Sequence, residues 1–147
     1  MKKEARIIVV GLDNSGKSTL INSLTDKRTA VYEVAPTVGF NIEQFDRGKL
    51  RFTVIDMSGA STYRSLWETY YTDVQAIIFV VDAADKIRVC IARDELEALL
   101  SHRDIQKIKA PILLFANKLD VPGALEPTDL TVLLNLPAIK DRAWQIQ

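Results

Sequence analysis

Gly11-Leu12-Asp13-Asn14-Ser15-Gly16-Lys17-Ser18, with Thr19 behind it, spaces two glycines, a lysine and a hydroxyl as phosphate binding requires. The two glycines permit a backbone that a Cβ would obstruct, so that consecutive amides and a helix N-terminus can point at phosphate oxygens. Lys17 then sets a cation against the β- and γ-phosphates, and Ser18 offers an oxygen to Mg²⁺. An ordinary glycine-rich turn does not account for the full match in its strand-to-helix setting. Asp56-Met57-Ser58-Gly59 closes a second strand. Its carboxylate can reach the Mg²⁺ shell through water, and the Gly59 amide can meet a γ-phosphate. In Asn117-Lys118-Leu119-Asp120, Asp120 can accept from both guanine donors, the ring N–H and the exocyclic amine. Adenine has no matching donor pair on that edge, so it would leave a carboxylate unpaired. Asn117 can tie loops together, and the Lys118 stem can lie over the base. Thr37, in Pro36-Thr37-Val38-Gly39-Phe40, can complete the Mg²⁺ shell once a γ-phosphate draws its loop in; a plain proline turn into an edge strand is compatible with the same letters. These motifs together imply a guanine nucleotide with Mg²⁺.

The elements around the motifs are legible as well. Ala5–Val10 is a β-branched run that reads as a strand buried on both faces, and Lys17–Leu24 carries Leu20, Ile21 and Leu24 at helical spacing. Asn41–Phe45 and Leu50–Asp56 alternate about Asp46-Arg47-Gly48, which reads as a hairpin. Ala76–Asp82 and Pro111–Asn117 are continuous apolar strands. Between them, Ile87–Leu100 reads as a helix packing Ile87, Cys90, Ile91, Leu96, Leu99 and Leu100 on one face. Pro127 suits the first turn of a helix carrying Leu130, Leu133 and Leu134, and Ala143–Ile146 reads as a strand just beginning. Strands alternating with helical crossovers predict an α/β three-layer fold. Its sheet would be mostly parallel, with one antiparallel hairpin at the edge.

The chain has 147 residues, 48% of them apolar, which predicts one domain over 1–147 with a core of its own. Lys plus Arg equal Asp plus Glu at 19 each, so no global field draws nucleic acid. The single cysteine, Cys90, excludes a disulfide framework and a multi-thiolate metal site, fits a reducing compartment, and reads as helix packing. His102, the only histidine, reads as a surface residue, and Arg93, Asp94, Glu95 and Glu97 as a solvated helix face. No apolar run spans a bilayer, Met1–Glu4 leaves no room for a signal peptide, and Lys2 excludes an N-myristoyl glycine. The expectation is a soluble intracellular domain.

With four motifs in order, the chain resembles the Ras-like small GTPases, and among them the Arf and Arf-like family. The marks are GLDNSGKST, PTVGFNIE, the DMSG form of the aspartate-glycine motif, and LWETYYTDVQAIIFVVDAAD. DMSG with Tyr63-Arg64-Ser65-Leu66-Trp67 and Tyr70-Tyr71 behind it looks most like the ciliary branch linked to Bardet–Biedl syndrome. The resemblance implies the P-loop NTPase (Ras-like) fold and a GTP/GDP switch with Mg²⁺ on Ser18, Thr37 and Asp56. Lys17, Thr37, Gly59 and position 60 would serve hydrolysis, and Gly11–Thr19, Thr37, Gly59, Asn117, Lys118 and Asp120 would hold the nucleotide. It further implies a hairpin, Asn41–Asp56, that shifts register between states. The effector surface would include Phe40 and Tyr70, together with Trp67 and with Ile55 where classical members carry Trp; core packing is an equal alternative for Trp67. In the GTP form the partner would be the BBSome coat at the ciliary base or ciliary membrane. An exchange factor and an activating protein would act as regulators.

Three departures qualify that implication. Position 60, where the family pattern has a water-orienting Gln, is Ala60, so hydrolysis is expected to be very slow. The family's Ser-Ala loop and final helix would fall past Gln147. Only Met1–Glu4 stand where an amphipathic lipid-binding helix would precede the first strand, so the membrane surface is expected as a partner of a fuller-length chain only. A nucleotide-stabilised scaffold that does not turn over is the second reading. A small-molecule P-loop kinase would share Gly11–Ser18 but leave Thr37 and Asn117–Asp120 unexplained.

Overall fold

The computed structural model describes residues 3–12, 15–17, 20, 30–33, 40–57 and 61–147. The strands are β1 (Lys3–Gly11), β2 (Ala30–Glu33), β3 (Phe40–Arg47), β4 (Leu50–Met57), β5 (Ala76–Asp82), β6 (Ile112–Asn117) and β7 (Trp144–Ile146). They form one sheet in the order β2-β3-β4-β1-β5-β6-β7. The pairs β1·β4, β1·β5, β5·β6 and β6·β7 are parallel, while β2·β3 and β3·β4 are antiparallel. The expected mostly parallel α/β sheet is therefore present. The hairpin β3–β4 is not its edge, however, because β2 pairs outside it with a register irregularity between Ala30 and Tyr32. A four-residue strand with a bulge carries too little alternation to be read from letters.

The chain turns helical at Lys17, and the Leu20 N–H donates to the Gly16 carbonyl at 3.0 Å. Among the described residues the α-helices that follow are α1 (Val89–Ser101), α2 (Arg103–Ile108) and α3 (Pro127–Leu133), and a ten-residue 3-10 segment, Ser61–Tyr70, comes after β4. Strand alternation sends Ile8, Val10, Ile55, Met57, Ile77 and Phe79 to one face, where Trp67, Leu96, Leu99, Leu130 and Leu134 close over them. Val9, Phe45, Val54 and Val80 face the other way with Leu20, Phe52, Ile78 and Phe115 half-buried around them, and the Phe45 and Phe52 rings stack at 5.2 Å.

Helix α1 corrects the expected apolar face. Its buried side chains are Val89, Ala92, Leu96 and Leu99, whereas Ile87 is 86% exposed and Cys90 and Ile91 also face outward. The 3-10 turn Lys86–Arg88 precedes the helix, so Ile87 falls outside the helical register, and the smaller Val89 and Ala92 occupy the sheet contact. Cys90 is thus an exposed thiol and not helix packing. Glu95 leaves the solvated face to pair with Arg64 at 3.5 Å. His102 is half-buried rather than a plain surface residue. Its Nδ1 accepts the Asp104 N–H at 3.2 Å, capping α2, which leaves Nε2 to donate to Glu68 Oε2 at 3.1 Å. At the far end, Arg142 is buried and donates to the Ile105 and Ala110 carbonyls below α2 at 3.1 and 3.4 Å. Strand β7 is present, with the Gln147 N–H donating to the Leu114 carbonyl at 3.0 Å.

Candidate functional site

The site lies at the C-terminal ends of β1, β4, β5 and β6, the edge where parallel α/β sheets place their ligands. Strand β1 ends at Gly11, paired in register with Val80, and a Cβ at Gly11 would overlap the Val80 carbonyl. Leu12 then turns its side chain into the core, 6% exposed, and leaves its carbonyl facing the loop. Gly16 adopts φ +95°, in the left-handed region, and a Cβ there would overlap Asn117 Nδ2. Two independent constraints, conformation and space, therefore demand glycine at this one position.

Lys17 opens the helix with its side chain buried and folded back across the loop. Its Nζ donates to the Gly11 carbonyl at 3.2 Å and the Leu12 carbonyl at 3.0 Å. A desolvated ammonium held on two carbonyls stays beside the loop amides, where an anion would meet it. Asp13, Asn14, Ser18 and Thr19, as well as Thr37, Gly59 and Ala60, lie outside the described residues. Asp56 sits one residue from the end of β4, opposite Val9, which places its carboxylate at the strand end nearest the loop.

The third motif arrives from β6. Asn117 is the last residue of that strand, and its Nδ2 donates to the Ser15 carbonyl at 2.9 Å, across 102 residues of chain. The tie expected of Asn117 is therefore in place. Lys118 follows with φ 63°, and its Nζ meets Asp82 Oδ2 at 2.9 Å. Leu119 and Asp120 are exposed. Asp82, at the end of β5, is the residue that motif reading missed. Its only sequence signal is its place as the last letter of an apolar strand.

Of the residues expected to form a partner surface, Ile55 is 0% and Trp67 2% exposed. Trp67 packs edge-on to Phe79 at 6.5 Å and belongs to the core in this arrangement. Phe40 and Tyr70 are half-buried, with ring centroids 4.8 Å apart, and so join β3 to the end of the 3-10 segment. Arg64 to Glu95 and Glu68 to His102 fasten that segment to α1 and to the corner between α1 and α2.

The sheet order, the glycine loop between β1 and the first helical turn, and Asn117 seated on that loop define the Ras-like small GTPase fold. The model of the ADP-ribosylation factor family matches residues 1–147. ADP-ribosylation factor-like protein 6 of Danio rerio is 49% identical over 145 residues, covering 99% of this chain and 78% of that protein. ADP-ribosylation factor-like protein 6 of Caenorhabditis elegans is 41% identical, covering 99% and 76%. Among solved structures, that of the Arl6 BBS3 small GTPase from Trypanosoma brucei with bound nucleotide analogue GppNp matches with a TM-score of 0.86 at 40% identity, covering 98% of this chain and 85% of that one. The chain belongs to the ADP-ribosylation factor family, whose members are small GTPases that bind GTP and GDP. No described helix is long and apolar enough to cross a membrane.

Proposed function

We propose that this chain is a guanine-nucleotide switch of the Arf-like protein 6 kind. In its GTP form it recruits a BBSome-like trafficking coat for ciliary membrane protein transport, and it hydrolyses GTP slowly. The observation that carries the reading is the Asn117–Ser15 bond, which joins the base-recognition motif to the phosphate loop as one site. Gly11–Thr19 cradle the phosphates, Lys17 supplies the cation, and Asn117, Lys118 and Asp120 surround the guanine. The close packing of Asn117 against Gly16 and the seating of Lys17 on the Gly11 and Leu12 carbonyls set an ammonium at the strand-to-helix turn, which suits a phosphate. Ser18, Thr37 and Asp56 would hold Mg²⁺, which when bound neutralises charge on the phosphates. The Gly59 amide would meet the γ-phosphate, and Thr37 would report its presence. Phe40 and Tyr70, half-buried where Ile55 and Trp67 are buried, are the accessible part of the partner surface. By analogy with relatives, an exchange factor and an activating protein act on the chain around positions 37 and 59–71, and a membrane surface at the cilium is the place of action.

Ala60 sets the rate. A methyl group neither donates to nor accepts from the attacking water, so the intrinsic reaction loses the contact that orients it. The test is chromatography of the nucleotide released from Mg²⁺-containing protein, before and after loading with GTP. Guanine nucleotide is expected, with GTP persisting for hours. Ala60→Gln is expected to raise single-turnover hydrolysis by roughly 10²-fold, the low end for a positioned hydrogen-bonding group. Prompt conversion by the unaltered protein would assign the water to another residue. Equal binding of the coat by the GDP and GTP forms would favour a nucleotide-stabilised scaffold over a switch.

A further inference from the structure

Asp82 is a carboxylate at the site's rim for which the reading above has no use. It stands opposite Asn117 in the β5–β6 ladder, so the two adjacent strand ends each deliver a polar side chain to the same loops. Both of its oxygens are engaged. Oδ1 accepts the Ala84 N–H at 2.9 Å, closing the turn that follows β5, and Oδ2 accepts from Lys118 Nζ at 2.9 Å. The Asp82 side chain is 18% exposed and that of Lys118 38%, so the pair is partly shielded from water. The backbone around it is knitted too. The Ala83 N–H donates to the Asn117 carbonyl at 3.0 Å, and the Leu125 N–H to the Ala83 carbonyl at 2.8 Å.

Lys118 needs such support. A non-glycine residue at φ 63° sits in the left-handed region, which its Cβ disfavours relative to ordinary backbone. Asn117, just before it, is anchored to Ser15, and the Val121 N–H closes a turn on the Lys118 carbonyl at 3.2 Å. The Asp82 contact acts on the direction of the lysine stem. Asp120 lies within the turn that the Lys118 carbonyl and the Val121 N–H close, so a Lys118 held in place steadies the turn that carries that carboxylate.

We infer that Asp82 is a positioning residue for the nucleotide base: by holding Lys118 across the ends of β5 and β6, it shapes the Asn117–Asp120 segment that receives guanine. This rests on the guanine reading of that segment. The competing role, a plain turn closure, uses the other oxygen, and so the two can be separated.

The experiment measures GDP dissociation from the Mg²⁺-bound protein. Asp82→Asn keeps an Oδ1 for the Ala84 N–H and removes the charge facing Lys118; Asp82→Ser, which also keeps a short acceptor, serves if the first variant folds poorly. Dissociation is expected to accelerate about two- to fivefold, the range for a partly exposed ion pair. Lys118→Met should accelerate it too, and Asp82→Asn should add nothing further in that background. No acceleration in the unaltered background, or the same acceleration in both, overturns the inference, because Asp82 would then act through the turn or not at all. Asp120→Asn, scored for a shift from guanosine toward xanthosine diphosphate, separates the two levels. A shift there with an inert Asp82→Asn sinks this inference alone. Absence of the shift sinks the guanine reading, and this inference with it.

Discussion

One side-chain amide does the joining at this site, and its worth can be measured. Asn117 Nδ2 spans to the Ser15 carbonyl while packing where Gly16 lacks a side chain, so truncation removes a hydrogen bond and the cover of the loop together. Asn117→Ala is expected to destabilise the fold by about 1–2 kcal/mol, the range for losing a half-buried hydrogen bond, and to lower guanine nucleotide affinity by more than that loss alone. Chemical denaturation with and without GDP checks both. Equal effects in the two conditions would mean that Asn117 serves the fold and not the nucleotide. At this scale the sequence was most informative. The glycine, lysine and asparagine positions follow from what a phosphate or a base demands of a backbone, and the structure puts Gly11, Gly16, Lys17 and Asn117 together. Asp82 stayed hidden because its role depends on β5 and β6 being neighbours, and no spacing within the chain encodes adjacency between strands.

The elements divide by what shaped them. Strands β1, β5 and β6 were readable because burial on both faces leaves continuous apolar letters. Helix α1 was readable as a helix, but its face was not, because Ile87, Cys90 and Ile91 look more apolar than the Val89 and Ala92 that touch the sheet. Size at a close contact decides there, and hydropathy does not. The 3-10 segment Ser61–Tyr70 and the corner at His102 depend on contacts between distant residues. Tyr71 shows the consequence. It is 4% exposed, its ring meets His102 edge-on at 5.0 Å, and burial, with Glu68 and Glu95 adding negative charge, pushes its phenol well above the ordinary range. A proton held more tightly in the folded chain than in the unfolded one stabilises the fold fully below the unfolded value, about pH 10. That contribution is lost as pH rises beyond it, at a slope of up to about 1.4 kcal/mol per pH unit. Denaturation midpoints measured from about pH 9 to 11 are expected to fall more steeply in the unaltered protein than in Tyr71→Phe. Parallel curves would show that the phenol ionises as easily in the folded chain.

For the molecule as a whole, the nucleotide is part of the folding problem. Among the described residues, the larger core cluster lies on one face of the sheet, and Val9, Phe45, Val54 and Val80 are buried on the other. The loop after β1 also has to hold Gly16 at φ +95° and an ammonium out of water. A ligand that satisfies this end of the sheet binds the folded chain and not the unfolded one. It should therefore raise stability by RT ln(1 + [L]/Kd), about 2.7 kcal/mol at a hundredfold excess over Kd. For a chain of this length each kcal/mol moves the melting temperature by about 2–4 °C, so GDP or GTP with Mg²⁺ should raise it by about 5–10 °C. The same excess of ADP or ATP should leave it where it was, because Asp120 finds no donor pair on adenine. Chelating the Mg²⁺ should remove most of the gain if Ser18, Thr37 and Asp56 hold the ion beside the phosphates. The pattern of the three arms carries the argument. A gain with guanine alone ties the base motif to the phosphate loop through the folded state. A gain with both bases leaves the loop assignment standing and removes the one for Asp120. No gain with any nucleotide would mean that Lys17, already seated on the Gly11 and Leu12 carbonyls, gives up nothing to a phosphate.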